Sequence, residues 1–188
     1  MYLPKIRKLL TAEELSIFYN HLTRLTYRRG QILIKQGTVA NRMYLVEHGY
    51  CRSYVNRDGE EITDFFFFEK SFATDFASFC SDKPSLLNLV CAEDCTLLEI
   101  TKTKLEILYK KYHSFSEIGR LMAESAFVQL EERVRLLHTE DLKTKYQFMI
   151  QNFPDVFQRV PQYQIASYLG VKPQSLSRMR AKLSGKEY

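Results

Sequence analysis

The chain has 188 residues, 45% of them hydrophobic and 13% aromatic, enough for one large domain or two small ones with packed cores. It carries 27 basic and 22 acidic side chains, a net charge of +5. No apolar run approaches the roughly 20 residues of a membrane span. The opening MYLPKIRKLLTAEEL lacks the apolar stretch and cleavage site of a secretory signal, so a cytoplasmic protein with no membrane role is expected.

Residues 11–25, TAEELSIFYNHLTRL, begin with Thr11 and carry Glu14 three positions later, a capping box. Leu15, Phe18, Leu22 and Leu25 follow at helical spacing, which predicts one short amphipathic helix. From Tyr27 the period changes to two. GQILIKQG, NRMYLVEHG and YCRSYVNRDGEEITDFFFF read as short strands separated by glycine turns, and Asp58-Gly59 between alternating runs marks a hairpin. Residues 71–84 read as a loop, and LLNLV and CTLLEI as two more strands. This pattern predicts an antiparallel β jelly roll within an α+β chain.

Helical character returns over residues 101–112 and is strongest over 115–138, FSEIGRLMAESAFVQLEERVRLLH. Ile118, Leu121, Met122, Ser125 and Val128 lead one side of this helix and are the expected dimer interface. Thr139, Glu140 and Asp141 supply a cap and acidic first turn for LKTKYQFMIQNF, which Pro154 stops. The expected hinge lies near His138 and Thr139, with a sensory half over 1–138 and a helix-turn-helix half over 139–188.

QYQIASYLGVKPQSLSRMRAKL, residues 162–183, reads as two short helices around a tight turn. Gly170 permits the left-handed backbone that ends the first, and Pro173 suits the first turn of the second. Leu176, Met179 and Leu183 form one stripe of the second helix, with Lys172, Gln174, Ser175, Arg178 and Lys182 outside it. Ala166 lets the helices approach and Leu176 fills their angle, as a helix-turn-helix requires. Residues 157–188 hold six basic residues and one acid, Glu187, while the rest of the chain has 21 of each and is neutral. The whole positive excess therefore sits on the predicted reading head, the footprint of a phosphate-binding surface.

The four cysteines, Cys51, Cys80, Cys91 and Cys95, are scattered and form no CxxC pair. Buried thiols are expected, with no metal site assigned; a metal or iron–sulfur centre drawing on all four is the alternative. The sequence shows no Ser/His/Asp order, metal-ligand cluster or glycine-rich phosphate loop, so an enzyme is not expected.

In their order, the GQILIKQG turn, the MYLVEHGYCRSY hairpin, the long helix and IASYLGVKPQSLSRMR resemble the Crp/Fnr family of bacterial transcription regulators, over residues 10–183. The resemblance implies an effector-binding barrel and a long helix that dimerises and relays to the recognition helices. It implies a homodimer on double-stranded DNA, with RNA polymerase as a further partner. Cyclic-nucleotide binders of the family carry Gly-Glu-Leu and Arg-Ser-Ala in a phosphate-binding cassette. Here Thr74-Asp75-Phe76 and Ser85-Leu86-Leu87 stand in those places, and Gln129 stands near the family's purine-facing pair. No arginine meets the phosphate, and Lys83, two positions off, lacks its bidentate fork. High-affinity cyclic AMP binding is not expected, and no cofactor is assigned. Phe66, Phe72, Phe76 and Leu86 are expected to line or fill the pocket, leaving the effector unknown or dispensable. No cysteine precedes Cys51, against an N-terminal iron–sulfur centre, and His21, His48, His113 and His138 offer no evident haem pair. Only SGKEY follows the second helix, so the family's strand wing is not expected. The competing reading is a ligand-binding or protein-interaction module that no longer reads DNA.

Overall fold

A computed structural model describes residues 8–138 and 141–183, the last by its backbone alone. Helix α1 spans Ala12–His21, and its capping box forms as the sequence predicts: Thr11 accepts from the Glu14 amide and Glu14 from the Thr11 amide. The helix stops four residues before the expected end. Residues 23–27, with two threonines and a tyrosine, instead become strand β1 (Thr23–Tyr27), in register with residues 95–99 of a later strand. Cross-strand pairing there overrides the continued apolar spacing.

Seven further strands follow: β2 (Ile32–Ile34), β3 (Arg42–His48), β4 (Cys51–Arg57), β5 (Glu60–Phe67), β6 (Phe72–Ala73), β7 (Asn88–Cys91) and β8 (Cys95–Thr101). They form two antiparallel four-stranded sheets, ordered β1-β8-β3-β6 and β2-β7-β4-β5. Asp58 and Gly59 both take positive φ, 54° and 87°, and close the β4–β5 hairpin as expected. Between β6 and β7 the expected loop contains a six-residue helix, α2 (Phe76–Ser81).

Helix α3 (Lys102–Lys111) starts at a Thr101 cap, and α4 (His113–His138) is the long helix. Phe18 of α1, Met43, Leu97 and Ile100 of the strands, Leu105 and Leu108 of α3, and Phe115 and Ile118 of α4 share one core. Then come α5 (Leu142–Asn152), α6 (Val156–Arg159), α7 (Gln162–Leu169) and α8 (Pro173–Leu183). Asp141 caps α5 through the Thr144 amide, while Thr139 and Glu140 lie outside the described residues.

By compactness the chain divides into Met1–Phe127 and Val128–Tyr188. The division falls inside α4 rather than at its end, because its last turns pack with the helices that follow. Leu136 is buried there, the Arg133 guanidinium lies 3.9 Å from the Tyr168 ring, and Lys145 donates to the carbonyls of Leu137 and Leu169. Among the described residues no helix is long and apolar enough to cross a membrane.

Candidate functional site

Two places carry the residues singled out above. In the second unit, α7 ends at Gly170, whose φ of 64° and ψ of 35° are left-handed, and its N–H donates to the Ala166 and Ser167 carbonyls. A side chain there would also meet Leu137 at 3.0 Å. Pro173 opens α8 in the first turn, where its missing N–H costs nothing. Ile165, Ala166, Leu169 and Leu176 are fully buried, so the small residue and the angle-filling leucine stand where the sequence places them. Gln162 bridges the two helices, donating to the Pro173 carbonyl and accepting from Arg180.

This packing turns the other face of α8 outward. Lys172, Gln174, Ser175, Arg178 and Lys182 are all exposed. Arg180, counted in the basic excess, is half-buried and lies over the Phe157 ring, 4.8 Å from its centre. It braces the motif rather than facing outward. The stripe member Leu183 and the terminal Lys186 and Glu187 have side chains outside the described residues.

In the first unit, the cassette is closed by its own polar groups. Asp75 caps α2, accepting from the Ser78 amide at 3.1 Å, and its second oxygen accepts from the Ser85 hydroxyl at 2.6 Å. Asp75 is 7% exposed and Ser85 1%. The two positions that stand for the family's ribose-binding acid and phosphate-binding arginine are thus bonded to each other. Thr74 donates to the Arg42 carbonyl, and the neighbouring Asn88 accepts from the Gln36 amide.

Two other cations of this unit are engaged, and Lys83 is exposed. Arg52 is buried, pairs with Glu61 and donates to Thr63, while Lys102 donates to both oxygens of Asp82.

The apolar filling expected of the pocket is distributed otherwise. Leu86 is 79% exposed, because the turn that buries Ser85 points its neighbour outward. Phe72 joins Phe18, Met43, Ile100, Leu105, Tyr109, Phe115, Ile118 and Met122 around a separate apolar cavity of about 20 Å³, far too small for a nucleotide. Phe66 packs among Tyr50 and Phe68, and Phe76 lies against the main core. Leu87 is half-buried, and Gln129 lies on the exposed surface of the second unit.

The expected dimer residues separate likewise. Ile118 is buried in the barrel's own core, and Met122, half-buried, lines the cavity. Leu121 and Ser125 are half-buried and Val128 exposed. A different stripe on α4 is open: Phe127, 64% exposed, then Leu130, Val134 and Leu137, at steps of three, four and three. Aromatic and aliphatic residues at these steps were legible in the sequence but hidden by the stripe beside them.

The cysteines also depart from expectation in one respect. Cys80 is exposed on α2, whereas Cys51, Cys91 and Cys95 are buried as expected.

No curated protein matches the chain in sequence. The cyclic nucleotide-binding domain family matches residues 24–112. Among solved structures, FixK2 of Bradyrhizobium japonicum superposes with a TM-score of 0.77 at 16% identity, over 88% of this chain and 85% of that one. The c-di-GMP-responsive global regulator CLP of Xanthomonas campestris gives 0.62 at 19% identity, over 93% and 92%. A protein of Eubacterium rectale described as a transcriptional regulator of the Crp/Fnr family gives 0.68 at 17%, over 96% and 87%. Residues 24–112 of this chain are therefore similar to a cyclic nucleotide-binding domain, and the chain as a whole shares the fold of these Crp/Fnr-type structures.

Proposed function

We propose that the chain is a transcription regulator that binds operator DNA as a homodimer and keeps a nucleotide cassette closed by its own side chains. The observation that carries this reading is the geometry of α7 and α8. Ala166, Leu169 and Leu176 are buried while Lys172, just before the second helix, and Gln174, Ser175, Arg178 and Lys182 on it stand exposed. Gln174, Ser175 and Arg178 lie in its N-terminal half, where base edges come within reach in a major groove, and Arg178 can bind a guanine bidentately. Lys172 and Lys182 suit phosphates.

The open stripe Phe127, Leu130, Val134 and Leu137 follows the heptad steps of a two-stranded coiled coil and serves as the subunit seam. Residues 1–138 then do the sensing and 139–188 the reading, with α4 joining them. RNA polymerase is a further partner in this reading. The Asp75–Ser85 bond ties together the positions that stand for the family's ribose-binding acid and phosphate-binding arginine, which supports a cassette without high affinity for cyclic AMP and an effector still unassigned.

Selection of genomic fragments on the purified chain tests the proposal. Enrichment of a sequence with two-fold symmetry and half-sites about one helical turn apart is the expected result. Retention of no fragment above a scrambled control would instead favour a module that no longer reads DNA.

A further inference from the structure

The barrel also holds a group of nucleophiles that neither the reading head nor the cassette uses. Cys51 opens β4, Cys91 closes β7, and Cys95 opens β8 three residues after the β7–β8 turn begins. Cys51 and Cys91 face each other across the β4–β7 ladder. The three Sγ atoms lie within 4.8 Å of one another, and all three residues are buried with free thiols. Gly49 makes room for the third sulfur: at φ +82°, a Cβ there would stand 2.8 Å from Cys95 Sγ.

Hydrogen bonds among the three thiols, with burial, raise Cys51 and Cys91 above the ordinary thiol range, and the same hydrogen bonds lower Cys95 below it. The Cys95 thiol also donates to the carbonyls of Tyr50 and Glu93, each 3.4 Å away.

Three donors, all sulfur, select a soft centre. Among the described residues no histidine or carboxylate joins the group, so the four protein ligands of a structural zinc site are not assembled. The surroundings, with Ile34, Leu89 and Leu97 in the same core, disfavour any net charge. Three thiolates on a divalent cation leave one negative charge, and on copper(I) two. Only a trivalent centre leaves none.

We propose that Cys51, Cys91 and Cys95 form a binding site for trivalent arsenic or antimony, taken up as the neutral trihydroxide. Each thiol proton leaves with one hydroxide, so three S–H and three metalloid–oxygen bonds break, three metalloid–sulfur bonds form, and three waters depart. Neither charge nor oxidation state changes. Bonds of about 2.3 Å, as thiolates make to metals, put three sulfurs roughly 3.3–4.0 Å apart, within small shifts of the present spacing. The ion would pin the β3–β4 turn to the β7–β8 hairpin, whose first residue Asn88 lies three positions after Ser85 of the cassette. The site is independent of DNA binding, and its test involves no DNA.

The test uses the reduced full-length chain with micromolar arsenite. Native mass spectrometry should show one arsenic bound with loss of three hydrogens, and X-ray absorption should show three As–S bonds and no As–O bond. Cys80→Ser should keep the adduct. Cys51→Ser, Cys91→Ser and Cys95→Ser should each abolish it, with the fold checked by circular dichroism and alanine replacing serine where serine unfolds the chain. The proposal is overturned if the folded wild type takes up no arsenic, if an As–O bond remains, if the adduct survives loss of any of the three, or if equimolar zinc or copper(I) displaces it.

Discussion

At the scale of single residues, the decisive pair is Asp75 and Ser85. One carboxylate oxygen caps α2 and the other holds the Ser85 hydroxyl, both nearly inaccessible to water. Removing the carboxylate leaves the buried Ser78 amide without its acceptor and the Ser85 hydroxyl with only the Leu87 carbonyl, so Asp75→Ala should lower stability by about 1–3 kcal/mol in urea unfolding. Calorimetry with cyclic AMP and cyclic GMP should show no micromolar binding to the wild type; such binding would mean that the Asp75–Ser85 bond opens readily. On the reading head, Arg178→Ala should cost about 1–3 kcal/mol and relax preference at one base pair. Equal losses on all sequences, measured by anisotropy, would remove Arg178 from base reading. The sequence showed that the cassette had lost its arginine but not what replaced it. A hydrogen bond between residues ten apart depends on how the chain turns at Pro84 and Leu86, which no local pattern encodes.

At the scale of elements, helix caps and hairpin turns were legible because they are local chemistry. Thr11 and Glu14, Asp58 and Gly59, Gly170 and Pro173 each act within a few residues of themselves. What stayed hidden was set by distant partners: β1 is a strand because β8 lies beside it, β6 is two residues paired with β3, and α2 and α6 are too short for a visible period. The α1 cap predicts a pH dependence. Glu14 is bonded by Ser114 and by the Thr11 amide, which hold its carboxyl below the ordinary value of 4.5. Its contribution is therefore present above that value and lost as pH falls through the lower, folded one. The difference in urea midpoint between wild type and Glu14→Gln should shrink on acidification below pH 4.5; a difference that grows would reverse the sign. For α4, the exposed stripe moves the expected seam toward the C-terminal end of the helix. Leu130→Glu and Val134→Glu should give folded monomers by light scattering, because each places a charge in the seam. Ile118→Glu should unfold the barrel instead, since that residue lies in its own core. Dimers persisting in both seam variants would exclude this stripe.

For the whole molecule, charge separates the two halves more sharply than their folds do. Outside residues 157–188 the chain is neutral, with 21 basic and 21 acidic residues. The excess positive charge lies on residues 157–188, so on the proposed reading the salt dependence of DNA binding should come chiefly from the reading head. The slope of log affinity against log salt is about −0.9 per phosphate neutralised. A dimer presents each exposed lysine of the motif twice, so Lys172→Ala or Lys182→Ala should make the slope shallower by about 2. Because phosphates carry no sequence information, the change should be the same on operator and on unrelated DNA. Arg178→Ala should instead weaken the operator more than unrelated DNA, which separates groove reading from phosphate contact within one helix. Anisotropy titrations from about 50 to 200 mM salt suffice to resolve slopes of this size. An unchanged slope in both lysine variants would place the phosphate contacts elsewhere, and with them the assignment of α8 as the recognition helix would fall.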